Sequence, residues 1–140
     1  MIKLSELTGQ QAVSLRTAEK TGSVRKIAVE GNHIVAVELS DSTIPASAVR
    51  SFEGDVLTYD DQQTVDDGLV TIDPRGMRVL DMHGDLLGTI GDLSITADGT
   101  IDTIHLSDGQ AVPGARLRAI GTYAAVLTNE LPPPTGAPVG

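Results

Sequence analysis

The chain has 140 residues, a net charge of −9, no cysteine, and Phe52, Tyr59 and Tyr123 as its complete aromatic set. Without cysteine there is no disulfide framework and no thiolate metal site, and a core short of aromatics must be built from Val, Ile, Leu and Ala, whose β-branched members favour strands. Six basic face ten acidic side chains through residue 66, and four face nine beyond it, so neither half has the basic excess that grips phosphate backbones.

Nucleic acid is therefore not an expected partner, and no cofactor is expected. Met1-Ile-Lys-Leu-Ser-Glu turns polar at once, unlike a signal peptide. No apolar run approaches the roughly 18–20 residues needed to cross a bilayer. The expectation is a soluble, cytoplasmic chain with no transmembrane segment.

Residues 3–11 read as a lead-in, with Ser5 the expected cap of one short turn ending at Gly9. Ala12 to Leu15 is a short candidate strand, and Arg16 to Thr21 a polar connection. Ser23 to Glu30 and His33 to Leu39 are two strand-like runs joined by Gly31-Asn32, a two-residue hairpin turn. Val24 and Ile27 lie three apart, so a flat strand cannot bury both; a β-bulge or a sharp bend near Arg25-Lys26 restores a common inward face. The return strand alternates, with Val35, Val37 and Leu39 on one side and Ala36 and Glu38 on the other. Ser42 to Ile44 is a short strand, Pro45-Ala-Ser-Ala-Val predicts a helical or 3₁₀ turn, and Asp55 to Thr58 closes the unit.

This unit then recurs. Gly22, Val24, Ile27 and Val29 return as Gly88, Ile90, Leu93 and Ile95, a shift of 66 residues. After one inserted residue Val37 and Leu39 return as Ile104 and Leu106, and after another Pro45 and Val49 return as Pro113 and Leu117. A repeat of this kind governs the reading of the whole fold. The second copy has its hairpin at Leu87 to Thr96 and Thr100 to Leu106 across Asp98-Gly99, its bulge or bend near Gly91-Asp92, a strand at Gln110 to Val112, and a last strand at Ala124 to Thr128. His105 falls on the outward, polar side of its strand. The division expected is a first unit at 1–58, an acidic linker at 59–68, a second unit at 69–130, and a Pro-rich, disordered tail at 131–140. Short, turn-punctuated strands with almost no helix indicate an all-β fold: two tandem small, strongly bent β-barrels with short helical turns.

The run from a Gly through an apolar strand, a turn, a second apolar strand and a Pro-small-small-Val/Leu element resembles the PRC-barrel family. Here it reads Gly22-Ser-Val through Pro45-Ala-Ser-Ala-Val, and Gly88-Thr-Ile through Pro113-Gly-Ala-Arg-Leu, while Leu4-Ser-Glu-Leu-Thr-Gly9 resembles the family's usual start. The resemblance covers all but linker and tail. Its first copy departs from the pattern in being shortened at Gly31-Asn32. Such barrels occur in the H subunit of photosynthetic reaction centres, in a ribosome maturation factor and as free-standing prokaryotic proteins, some associated with cell division. What the resemblance implies is contact with other proteins, with no set of catalytic residues to carry over.

The residues themselves offer little chemistry. His33, His83 and His105 fall at a turn, in a loop and on an outward strand face, and Asp81-Met-His83-Gly-Asp85 is the one local cluster, lacking a second nearby His or the Glu of a calcium loop. No serine lies in a Gly-x-Ser-x-Gly elbow, Gly88-x-x-Gly91 sits inside a strand and not between strand and helix, and Asp60-Asp61 with Asp66-Asp67 lie in a solvated linker. No catalytic, cofactor-binding or metal-ligating residue is expected, and the chain is read as not an enzyme. The expected function is a non-enzymatic interaction or scaffold protein whose partner is another protein or itself, as a homodimer, with Arg25, Lys26, His105, Arg116 and Arg118 on the polar rim of its contact surface. A second reading is a small-ligand-binding or enzymatic protein with Asp81, His83, Asp85 and His105 meeting in a pocket between the barrels. A third, resting on fold analogy alone, is an RNA-processing accessory.

Overall fold

The computed structural model describes residues 1–40, 42–60 and 70–128; the acidic linker from residue 61 and the Pro-rich tail lie outside them. Of the described residues 55% are strand and 8% helix, so the fold is all-β. The chain runs β1 (Ile2–Lys3), α1 (Leu4–Leu7), β2 (Gln11–Ser14), β3 (Lys20–Glu30), β4 (His33–Leu39), β5 (Thr43–Pro45), a 3₁₀ turn (Ala46–Ala48), β6 (Val49–Ser51) and β7 (Leu57–Tyr59). It continues with β8 (Arg78–Leu80), β9 (Leu86–Ile95), β10 (Ile101–Leu106), β11 (Ala111–Pro113), a 3₁₀ turn (Gly114–Arg116), β12 (Leu117–Ile120) and β13 (Ala124–Leu127).

These strands form two sheets of one topology. The first has the order β5-β4-β3-β2-β7-β6, the second β11-β10-β9-β8-β13-β12, with β1 added alongside β9. Both contain one parallel pair at the same place, β2 with β7 and β8 with β13. A long bent strand organises each sheet. The first part of β3 pairs with β2 and the rest with β4; β9 divides between β8 and β10 in the same way. At the changeover stand Gly22 (φ 142°) and Gly88 (φ 151°), in backbone territory that side chains rarely enter. The register slips at Arg25 in β3 and at Gly91 in β9, so Val24 and Ile27, like Ile90 and Leu93, are all buried. The bulges thus lie where the apolar spacing requires them.

Several expectations need correction. Closed barrels are not found: among the described residues β5 and β6 do not pair with each other, nor do β11 and β12. In each sheet one 3₁₀ turn carries the chain from one edge strand to the other, so the seam is spanned by a turn and not by a ladder. Ser5 does not cap α1; Lys3 occupies that position and its N–H donates to Glu6 Oε1 at 3.2 Å. The second hairpin has a three-residue loop, with Thr96 N–H on Thr100 O (2.9 Å) and Gly99 N–H on Thr96 O (3.0 Å), because Gly99 takes positive φ after a tight turn. In β4 the alternation breaks at Val35, where the register shifts, so Ile34, Ala36, Val37 and Leu39 are buried and Val35 only half so. Strands β1, β6, β8 and β12 escaped the sequence pattern, being two to four residues long.

The halves are joined by exchange. The lead-in of the first half crosses to the second sheet, Ile2 opposite Ile95 and Lys3 opposite Ser94, before Gly9 N–H returns to Val24 O at 2.7 Å. The lead-in of the second half does the converse. Ile72 and Ile27 exchange both backbone hydrogen bonds (2.7 and 3.0 Å), and then Gly76 N–H reaches Ile90 O at 2.7 Å. The hairpin tips also bond reciprocally, Ile34 N–H to Gly99 O at 2.9 Å and Ile101 N–H to Asn32 O at 2.7 Å. One continuous core results, including Leu4 and Leu7 of α1 together with aliphatics of both sheets.

Two side chains fasten this arrangement. Phe52 is buried, donates its N–H to Ala97 O at 3.0 Å, and lies so close over Gly99 that a Cβ there would stand 2.8 Å from its ring. Ser5 donates its N–H and hydroxyl to the Asp92 carboxylate at 3.0 and 2.5 Å. Burial raises the Asp92 pKa, but the Ser5 and Leu93 hydrogen bonds outweigh it and the net shift is downward. Asp73 is likewise lowered, chiefly by its hydrogen bond with the Arg75 guanidinium.

Two outcomes follow. Phe52→Ala lowers the free energy of unfolding by about 3–5 kcal/mol, read from urea denaturation. A carboxyl whose folded pKa lies below its unfolded value of about 3.9 stabilises above that pH and loses the contribution as pH falls through the folded value. Asp92→Asn is therefore less stable than wild type at neutral pH, and the gap closes on acidification below about pH 4.

Candidate interaction surface

The outward face of the second sheet follows from its register. In β8 the buried residue is Val79, so Arg78 and Leu80 point away from the core; in β13 the buried residues are Ala125 and Leu127, so Ala124 and Val126 point away with them. Pairing sets these side chains in rows across the strands. Ala119 of β12 lies opposite Val126, Val126 beside Leu80, and Leu80 opposite Leu86 of β9. This row of four is aliphatic throughout. It is half-buried at Val126 and Leu80 and open at Leu86, which is 63% exposed.

The neighbouring row is Ala124, Arg78 and Thr89. Tyr123, 69% exposed, lies under the Arg78 guanidinium, 4.9 Å from its ring centroid, a cation–π contact. On the opposite side of the aliphatic row β8 runs into Asp81 and the loop to Asp85. Asp81 Oδ1 accepts the N–H groups of Asp85 (3.0 Å) and His83 (2.8 Å), and the Asp85 N–H foremost holds this carboxyl below its ordinary pKa.

The first sheet supplies the comparison. Its equivalent row, by the same pairings, is Ser51, Thr58, Val13 and Lys20. Serine, threonine and lysine there show that this topology does not require an aliphatic outer row. The difference belongs to the second sheet's surface and not to its fold.

The residues singled out from the sequence are distributed as follows. Arg25 and Lys26 are exposed on β3, Arg25 beside a shallow depression with Glu38 and Thr43. His105 is half-buried on β10, its Nε2 2.7 Å from Ser94 Oγ. Arg116 donates Nε and Nη2 to Thr128 O at 3.0 and 2.9 Å. Arg118 is exposed on β12 beside Ala119, at one end of the aliphatic row. Among the described residues no three His, Cys, Asp or Glu side chains are grouped to hold a metal ion. A groove of about 160 Å³ between the halves is lined by Val29, Glu30, Val35, Val70, Ile72 and Ile120 among others, and by none of Asp81, His83, Asp85 and His105. No helix among the described residues is long and apolar enough to cross a membrane.

The aliphatic row was missed in the sequence because β8 and β12 were not recognised as strands, and without them Leu80 and Ala119 have no face. A signal existed: aligned through the repeat, Lys20 and Thr58 are replaced by Leu86 and Val126. Compared with known proteins, the chain matches no family model and no curated protein.

Because Leu86 is exposed and lies outside the core, Leu86→Lys changes the unfolding free energy by no more than about 0.5 kcal/mol, measured by the same urea titration as for Phe52→Ala.

Proposed function

We propose that this chain is a non-enzymatic interaction or scaffold protein built from two tandem PRC-barrel-like repeats, working through the outer face of its second repeat. The observation that carries this reading is the row Ala119–Val126–Leu80–Leu86, half-buried at its centre and exposed at both ends, on a sheet whose counterpart does without it. Exposed aliphatic area is unfavourable by about 25 cal/mol per Å², and contiguous apolar area rimmed by polar groups marks contact sites. Tyrosine and arginine are the residue types enriched in binding hot spots, and here Tyr123 and Arg78 stack at the border of the row.

The tandem-repeat reading is supported by the shared strand order of the two sheets and by the matching bulges at Arg25 and Gly91. The family reading rests on the Gly-to-Pro pattern together with sheets bent about Gly22 and Gly88. The absence of catalytic roles is part of the proposal: Asp81, His83 and Asp85 share one loop after β8, while His33 pairs with Thr100 and His105 with Ser94 elsewhere.

A photo-crosslinking amino acid placed at position 86 tests the reading, with position 20 of the first sheet as the matched control. Irradiation of the full chain in cell lysate is expected to give covalent adducts with protein from position 86 and few from position 20. Equal adduct yields at the two positions, or none from position 86, would sink the proposal.

A further inference from the structure

The repeat sets two side chains in equivalent positions, and they fill their places unequally. Counted from Val49 and Leu117, which correspond, Phe52 and Ile120 are each the third residue on. Pairing agrees, since Ser51 faces Thr58 as Ala119 faces Val126. Each of the two belongs to the hairpin of the opposite half. Phe52 is buried, donates its N–H to Ala97 O at 3.0 Å and lies over Gly99, and the lead-in pair of that half, Ile2 with Ile95, is buried as well. Ile120 is only half-buried and stands in the groove of about 160 Å³ with Val29, Val35, Val70 and Ile72. The antiparallel bridge of Ile72 to Ile27 carries Val70 toward Val29, the places that Ile2 and Ile95 hold in the other half, yet Val70 is 62% exposed. A Cβ on Gly99 would meet the Phe52 ring at 2.8 Å, whereas one on Gly31, in the turn of the first hairpin, meets nothing within 4 Å among the described residues.

We infer that this groove binds a small molecule made of a phenyl ring with an ammonium group one or two carbons away, its ring taking the place that Phe52 fills in the other half. Size decides the first part. Pockets for drug-sized ligands run to about 300–1,000 Å³, and the groove is well below that, but an aliphatic cavity of about 150 Å³ accepts a benzene ring. The walls are Val and Ile side chains, which offer a ring dispersion contacts and no competing hydrogen bonds. The groove also lies on the other face of β12 from the aliphatic row, because Ile120 stands opposite buried Ala125 and Ala119 opposite Val126. It is a separate site from the surface proposed above.

Charge decides the second part. Among the described residues lining the groove only Glu30 is ionisable. It is exposed and makes no ion pair with another described residue. His33, opposite it in the ladder, has its Nδ1 3.2 Å from Thr100 Oγ1. A hydrated carboxylate at the edge of an apolar groove attracts a cation without the penalty of burying either charge, and it repels a carboxylate. The chain's net charge of −9 acts in the same sense at longer range. Burial of the ring supplies the affinity, and Glu30 selects the sign of the group attached to it.

Titration of the isotope-labelled full chain with phenethylammonium, followed through backbone amide shifts by NMR, is the test. Saturable shifts are expected at Val29, Val35, Val70, Ile72 and Gly121, with a Kd of about 1 mM or tighter for a ligand of roughly nine heavy atoms. Phenethyl alcohol, the neutral counterpart, is expected to bind about two- to fivefold more weakly, and phenylacetate more weakly still. Glu30→Gln changes an exposed residue and leaves the fold intact; in it the ammonium and the alcohol are expected to bind alike. Ile120→Phe supplies from within the ring that Phe52 supplies in the other half, and is expected to abolish the shifts. Shifts confined to residues away from the groove, phenylacetate binding as tightly as phenethylammonium, or full binding by a folded Ile120→Phe overturns the inference. Where Ile120→Phe does not fold, Glu30→Gln decides: an ammonium preference that survives it overturns the inference, and one that disappears supports it.

Discussion

The structure depends on reciprocal exchange between two sheets that are each too small to bury themselves. A unit of about 60 residues hides only a modest share of its surface, and this chain lacks the aromatics, apart from Phe52 and two tyrosines, that would enlarge its core. The exchange answers that shortage. Ile2 of the first lead-in completes the second sheet, Ile72 of the second lead-in closes on the first, and the hairpin tips bond to each other through Ile34 and Ile101. Each contact uses backbone groups in matched pairs, so few donors or acceptors are stranded where the halves meet.

A core made this way constrains the inside of each sheet and leaves the outside free to differ. The same positions that face inward in both units hold aliphatics in both: Val24 and Ile90, Ile27 and Leu93, Leu39 and Leu106. The outward positions have diverged, hydroxyls and a lysine on one sheet, aliphatics on the other. Phe52 and Ile120 illustrate a smaller divergence of the same kind. Phe52 fills the space over Gly99, whereas Ile120 leaves the apolar groove that also contains Val29 and Val35.

Much of the inner architecture was legible because it follows from short-range rules. Three-residue spacing at Val24–Ile27 and Ile90–Leu93 demanded a bulge or a bend, and the register shows bulges; Gly31-Asn32 demanded a turn. Each prolyl residue before a small-residue run announced a helical or 3₁₀ turn, and 3₁₀ turns stand at Ala46–Ala48 and Gly114–Arg116. Other features were not legible, for a common reason. Strands β1, β6, β8 and β12 are too short to show a period, and pairing partners far along the chain make them strands. The bulge at Val35, which breaks the expected alternation of β4, likewise arises where that strand meets Val29 and the opposite hairpin. Ser5 has the chemistry of a helix cap, yet tertiary contact assigns it to Asp92, 87 residues away.

Residue order alone determined the β class and the bends of β3 and β9, because spacing, turn chemistry and composition act between near neighbours. Tertiary structure decided which lead-in completes which sheet, where each sheet stays open, and which side chains share the outward row of the second one. Those choices depend on the register between strands distant in sequence, and register is a property of the assembled core, which no local run of residues carries.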